Sequence, residues 1–78
     1  MALLPLGLLS PGESGTVRDV MGGRHIRSRL GEMGLMPGSK VRVLQNQPCG
    51  PLIVTLGDVR LVLGRGVAQK ILVEENAS

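Results

Sequence analysis

Glycine and proline punctuation is the tightest constraint on this chain. Twelve glycines and five prolines fall within 78 residues, against an average glycine share of ~7%. They cut the sequence into short pieces, which suits short strands and tight turns and leaves no room for a helical bundle. A length of 78 residues holds one domain. Hydrophobic residues at 42% against charged residues at 19% make that domain globular. No internal repeat or low-complexity segment interrupts it.

The pieces can be typed by period. Residues 15–20 are expected as a strand. Val17 and Val20 are three apart, so a bulge near Arg18-Asp19 is needed to bring both to one face. Residues 24–33 are the one convincing helix, with Ile26, Leu30 and Met33 forming a single stripe. Gly34 follows as a stop glycine with positive φ, Leu35 takes the apolar position of a Schellman motif, and Pro37 blocks continuation into Gly38. Strands are then expected at 40–44, 52–56, 59–63 and 71–74. Gly57-Asp58 forms a two-residue hairpin turn, and residues 64–69 hold one helical turn. The expected core is Ile26, Leu30, Met33, Val41, Val43, Val54, Leu61 and Ile71. The fold class that results is mainly β: a small, partly open barrel of about five antiparallel strands with one inserted helix.

Composition excludes several functions. Phe, Tyr and Trp are all absent, so the aromatic-lined grooves that hold proline-rich peptides and the platforms that stack single-stranded nucleic acid are missing. A net charge of +3 is a modest excess with no basic tail, and no nucleic-acid partner is expected. Cys49 is the single cysteine, which excludes an internal disulfide and a cysteine-only zinc site. The charge-free stretch 1–11 lacks a basic start, contains Pro5 and Gly7 and is too short to span a bilayer, so a cytoplasmic chain without membrane insertion is expected.

Several runs resemble one family when taken in order: Leu6-Gly7-Leu8-Leu9-Ser10-Pro11-Gly12-Glu13, then Gly15-Thr16-Val17 and Gly22-Gly23. The most recognisable run is Arg29-Leu30-Gly31-Glu32-Met33-Gly34-Leu35-Met36-Pro37-Gly38-Ser39-Lys40-Val41. Gly50-Pro51-Leu52 and Ala68-Gln69-Lys70-Ile71-Leu72-Val73 complete the series. Together they resemble ferrous iron transport protein A (FeoA) domains, over about residues 4–73. The resemblance implies a Src-homology-3-like barrel with an inserted helix, similar to the C-terminal module of metal-dependent repressors. It implies a non-catalytic protein that assists a membrane ferrous iron permease, FeoB, with a cytosolic GTPase domain. No helix-turn-helix precedes the domain, which favours a free-standing accessory protein recruited to the inner face of the membrane. One domain over 1–78 is expected, with its core at about 4–74 and a short tail at 75–78. Gly66 and Val67 depart from the family's Ser-Glu pair, so the helical turn there is expected to be weak.

The residues that carry chemistry are few. His25 is the only histidine; it lies off the apolar stripe, with Glu32 about 10.5 Å further along the axis and Arg29 one turn away. With Cys49, in the loop Pro48-Cys49-Gly50-Pro51, it offers at most weak binding of a transition metal such as iron or zinc. No cofactor is required. Paired methionines such as Met33 and Met36 are read as packing rather than ligands. No nucleophile, base and orienting group assemble, so no enzyme activity is expected. The arginines say more. Arg24 and Arg27 in the first half of the helix, with Glu32 in its last turn, oppose the helix macrodipole at about 0.3–1 kcal/mol each. Arg24, Ser28 and Gly31 share the outward face with Arg27 on its flank, and this is the expected contact face for an acidic protein surface. Two other readings are a stand-alone metal-responsive regulatory domain and a nucleic-acid-binding barrel.

Overall fold

The computed structural model describes residues 2–76. Its elements are β1 (Leu3–Pro5), a 3-10 turn (Leu6–Leu8), β2 (Ser14–Val20), α1 (Arg24–Glu32), β3 (Lys40–Asn46), β4 (Leu52–Leu56), β5 (Val59–Leu63), α2 (Arg65–Ala68) and β6 (Ile71–Glu75). The strands form one antiparallel sheet in the order β1-β6-β2-β3-β4-β5. Six strands replace the expected five. The additional one is β1, which pairs Leu3, Leu4 and Pro5 with Glu74, Val73 and Leu72. Pro5 has no N–H to donate and is tolerated because β1 is an edge.

Two bulges curl the sheet. The register of β2 on β6 shifts between Val17 and Asp19, leaving Arg18 as the extra residue. That shift brings Val17 and Val20 to the buried face, as their spacing requires. The register of β3 on β4 shifts between Val43 and Gln45, with Leu44 extra and turned outward. A Pro-Gly turn is clipped beside each bulge. In Ser10-Pro11-Gly12-Glu13 the Glu13 N–H reaches the Ser10 carbonyl at 3.0 Å, and Gly12 has φ +92°. This turn donates from Gly12 N to Val43 O at 2.8 Å and accepts from Val43 N at Glu13 O at 2.9 Å. In Met36-Pro37-Gly38-Ser39 the closing bond is 2.9 Å and Gly38 has φ +98°. Here Gly38 N reaches Val17 O, and Val17 N reaches Ser39 O, both at 2.7 Å. Both turns have the type II pattern, which places glycine at the positive-φ position.

Between these devices α1 stops as its sequence dictates. Gly34 N donates to Gly31 O at 3.0 Å and Leu35 N to Leu30 O at 2.8 Å, the paired bonds of a Schellman motif. Gly34 has φ +91°. Leu30 and Leu35, the apolar pair of that motif, are both buried. The hairpin between β4 and β5 turns on Gly57, at φ +64°, with Asp58 at ordinary φ.

The core is wholly aliphatic: Val17, Val20, Val41, Val43, Leu52, Val54, Leu63, Ile71 and Val73 from the sheet, with Leu6, Leu9, Leu30, Leu35 and Ala68 over its ends. Of the expected core, Leu30, Val41, Val43, Val54 and Ile71 are buried, while Ile26 and Leu61 pack partly buried against it. Met33 is not core. It caps the helix C-terminus after α1 has ended at Glu32, and it is exposed. The strand expected at 71–74 runs one residue further. Glu75 belongs to β6 and Asn76 N donates to Ser14 O at 2.9 Å, while residues 77–78 lie outside the described part. Buried Thr16 satisfies its hydroxyl on Asn76 Oδ1 at 3.1 Å.

The turn expected to be weak at 64–69 is formed. It has no side-chain cap, and it is fixed by Arg65 instead. Arg65 Nη2 donates to Asn46 Oδ1 at 2.6 Å and Nε to Gly50 O at 3.1 Å. The Asn46 amide in turn donates to Gly7 O at 2.9 Å and Leu9 O at 2.7 Å. One side chain at the end of β3 thereby ties the 3-10 turn to α2.

Replacing Gly34 by Val should destabilise the fold by about 2 kcal/mol, because a β-branched residue at positive φ is strained. Leu56 Cδ2 lies 2.7 Å from where the new Cβ would sit, but it is the end of a flexible side chain and can yield. Chemical denaturation measures the loss. An unchanged midpoint would mean that the helix exit is built another way.

Candidate interaction surface

The start of α1 is set by two glycines. Gly22 has φ +123°, and a Cβ there would lie 2.6 Å from Ile26 Cγ2. Gly23 is the N-cap, with extended backbone and no side chain to cap the first turn. Helix bonding begins with Arg27 N to Gly23 O at 3.2 Å. The first turn therefore carries no acid and no side-chain cap, while Arg24, His25 and Arg27 are its titratable and charged residues, all exposed. Positive side chains add to the positive end of the helix dipole there.

Arg24, Ser28 and Arg27 are exposed, and Gly31 is half-buried. A Cβ on Gly31 would meet nothing within 4 Å, so no contact inside this chain requires glycine at that place. Arg27 approaches Asp19 with Nη2 to Oδ1 at 3.6 Å, a solvent-exposed pair worth about 0–1 kcal/mol. The shorter ion pair, Arg18 Nε to Glu74 Oε1 at 2.9 Å, joins β2 to β6 away from the helix. Gly34, Pro37 and Gly38 shape the helix exit and the turn after it.

The two candidate metal donors stand on different elements. His25 is exposed on α1, and Cys49 is exposed in the loop between β3 and β4. Among the described residues no three His, Cys, Asp or Glu side chains gather as a metal ion needs. Sequence reasoning missed two features. The Asn46–Arg65 network left no signal, because hydrogen-bond partners 19 residues apart follow from topology. The Glu13–Glu75 pair arises because β2 and β6 are neighbours, with Gly15 opposite Glu75. The hydrogen bond shared with Glu75, and then the Ser10 N–H, hold the Glu13 carboxyl below its ordinary value of 4.5. The same shared bond, and then repulsion from the Glu13 charge, push Glu75 up.

Residues 4–75 match the family model of the FeoA domain. The chain belongs to the FeoA domain family. This FeoA domain is 37% identical over 73 residues to the "Putative Fe(2+) transport protein A" of Methanocaldococcus jannaschii, covering 94% of this chain and 88% of that relative. A crystal structure of "Iron Uptake Regulatory Protein (FeoA)" superposes with a TM-score of 0.91 at 37% identity, covering 96% of this chain and 100% of the other. A "Manganese-dependent transcriptional repressor" superposes at 0.85 over 95% of this chain, with 24% identity and 42% of its own length covered. That last likeness is one of fold. The family and barrel expected from the sequence are thus established for this FeoA domain, with β1 added.

The carboxylate pair gives this domain a pH signature. Glu75, raised in the fold, stabilises it only below the unfolded carboxyl value, and that contribution is lost as pH rises through its folded value. Glu13, lowered, contributes above the unfolded value and loses its contribution as pH falls. Near pH ~7 the two therefore differ: Glu13 still contributes, while Glu75 no longer does and leaves its charge beside that of Glu13. Glu75→Gln should raise the thermal midpoint at about pH 7, and that advantage should shrink toward about pH 4, where Glu75 carries its own proton. An advantage equal at both values would place the effect elsewhere.

Proposed function

We propose that this FeoA domain is a non-enzymatic accessory protein of ferrous iron uptake, working in the cytosol. In this reading it docks through α1 on the cytosolic GTPase portion of a FeoB-type permease. Family membership supports the iron-transport part, and the names of its relatives agree with it. Among the described residues no helix is long and apolar enough to cross a membrane, consistent with membrane recruitment through a partner.

The observation that carries the docking part is the basic, uncapped start of α1, where Arg27 alone has an acid in reach, the exposed Asp19 at 3.6 Å. Arg24 and Arg27 stand at the positive helix end, no acid lies in the first turn, and no side chain caps its N–H groups. An acidic protein surface relieves all three at once. Gly31 beside them lets a partner backbone approach closely. Arg serves as an interface anchor in the absence of Trp and Tyr. With no aromatic anchor the complex should be transient, at about micromolar affinity or −8 kcal/mol. It should weaken with salt, since exposed charges are screened within ~8 Å at physiological ionic strength. Iron is the permease's cargo in this reading. Any contact at His25 or Cys49 is a single-donor contact and carries no cofactor.

Two variants test the face together. Arg24→Glu with Arg27→Glu should leave the fold intact, since acids suit a helix start, with a small loss from the second new carboxylate standing beside Asp19. It should reduce binding to the permease's cytosolic portion about tenfold or more. Gly31→Ala should raise stability by about 0.5–1 kcal/mol, because the added methyl meets open space, and should still weaken binding. Calorimetric titration and denaturation give both numbers. Full binding by both stable variants would remove α1 as the docking face.

A further inference from the structure

The sheet ends at β5, which pairs with β4 alone. The two-residue hairpin makes Leu56 opposite Val59 a hydrogen-bonded pair, and alternation then gives Val54 with Leu61 and Leu52 with Leu63. The N–H and C=O groups of Arg60 and Val62 therefore point away from the sheet. Among the described residues no backbone bond reaches them from that side. Val62 is 63% exposed.

A groove of about 350 Å³ runs between the end of this strand and α1. Its floor is aliphatic, from Ile26, Leu30, Leu63 and Val67. Its charged and titratable lining residues are Arg29 and His25, with no acid among them. Arg29 has no ion-pair partner among the described residues. An unpaired strand edge, an apolar floor and a basic wall thus lie side by side, on the flank of α1 away from Arg24 and Ser28.

We propose that this groove takes an extended segment of a partner protein by strand addition to β5. The occupant is a stretch of alternating apolar and acidic residues. Its backbone bonds the free groups of Arg60 and Val62, its apolar side chains rest on the aliphatic floor, and its acids face Arg29 and His25. Edge pairing supplies the affinity that a groove without aromatic rings cannot draw from stacking. A second copy of this chain is disfavoured as occupant. Each copy carries a net charge of +3 and would bring another basic helix against the first. The inference does not depend on the permease reading, because it concerns a different flank of α1 and any partner of this chemistry.

The test uses the whole chain, nitrogen-15 labelled, and a capped peptide of alternating glutamate and valine. Saturable amide shifts are expected at Arg60, Val62 and along the groove flank of α1, with a lysine-valine peptide at least about tenfold weaker. Val62→Pro should keep the fold, because the lost N–H serves no strand in the chain, and should weaken the glutamate peptide about tenfold or more. Arg29→Glu, which touches no backbone bond, should reverse the preference between the two peptides. The inference fails if no saturable binding occurs up to about 1 mM, if both peptides bind alike, or if both variants bind as the parent does. A concentration-dependent dimer in sedimentation that Val62→Pro abolishes would assign the edge to a second copy and also overturn it.

Discussion

The curl of the sheet depends on two Pro-Gly turns, each clipped by a reciprocal pair of backbone bonds to the strand residue just before a bulge. Pro11-Gly12 holds Val43 ahead of Leu44, and Pro37-Gly38 holds Val17 ahead of Arg18. A bulge increases twist and bends its strand, and here each bend is locked by a turn whose glycine alone can adopt the required φ. The second turn also receives the end of α1. Ser39 Oγ donates to Gly34 O at 2.6 Å, so helix exit, turn and β2 form one unit. The direction in which α1 presents its arginines follows from that unit.

An aliphatic core gives the fold little surplus. Its largest fully buried side chains are Leu and Ile, each contributing about 1.5–3 kcal/mol on burial. Polar satisfaction therefore matters more than in a domain with aromatic anchors. Among the described residues every buried side-chain nitrogen and oxygen finds a partner. Asn46 meets one carbonyl in the 3-10 turn, that of Gly7, and one just after it, that of Leu9, while accepting from Arg65, and so joins elements that the aliphatic contacts alone would hold loosely.

Local chemistry was legible in the sequence where a single residue type had only one use. Gly34 before Leu35 and Pro37 announced the Schellman exit, the three-residue spacing of Val17 and Val20 announced the bulge, and Gly57-Asp58 announced the hairpin. β1 was hidden because Leu3, Leu4 and Pro5 have no polar partners to mark a period, and their pairing with β6 joins opposite ends of the chain. Met33 shared the helix stripe, but one residue past the last turn it points out of the core. For the candidate surface, the sequence showed which residues are basic and outward. It could not show that α1 would stand beside a free strand edge, since that follows from β5 ending the sheet.

The helix exit and its turn thus fix the orientation of a helix that carries charge its own backbone disfavours. In the docking proposed above, this charge meets an acidic protein surface. The decisive measurement is backbone hydrogen exchange of the chain, alone and with the isolated cytosolic portion of a FeoB-type permease, the proposed partner. Slowed exchange across Arg24–Glu32, with the loop at residues 47–50 unchanged, is the expected result. Slowed exchange in that loop with α1 unaffected would rule out docking through the helix.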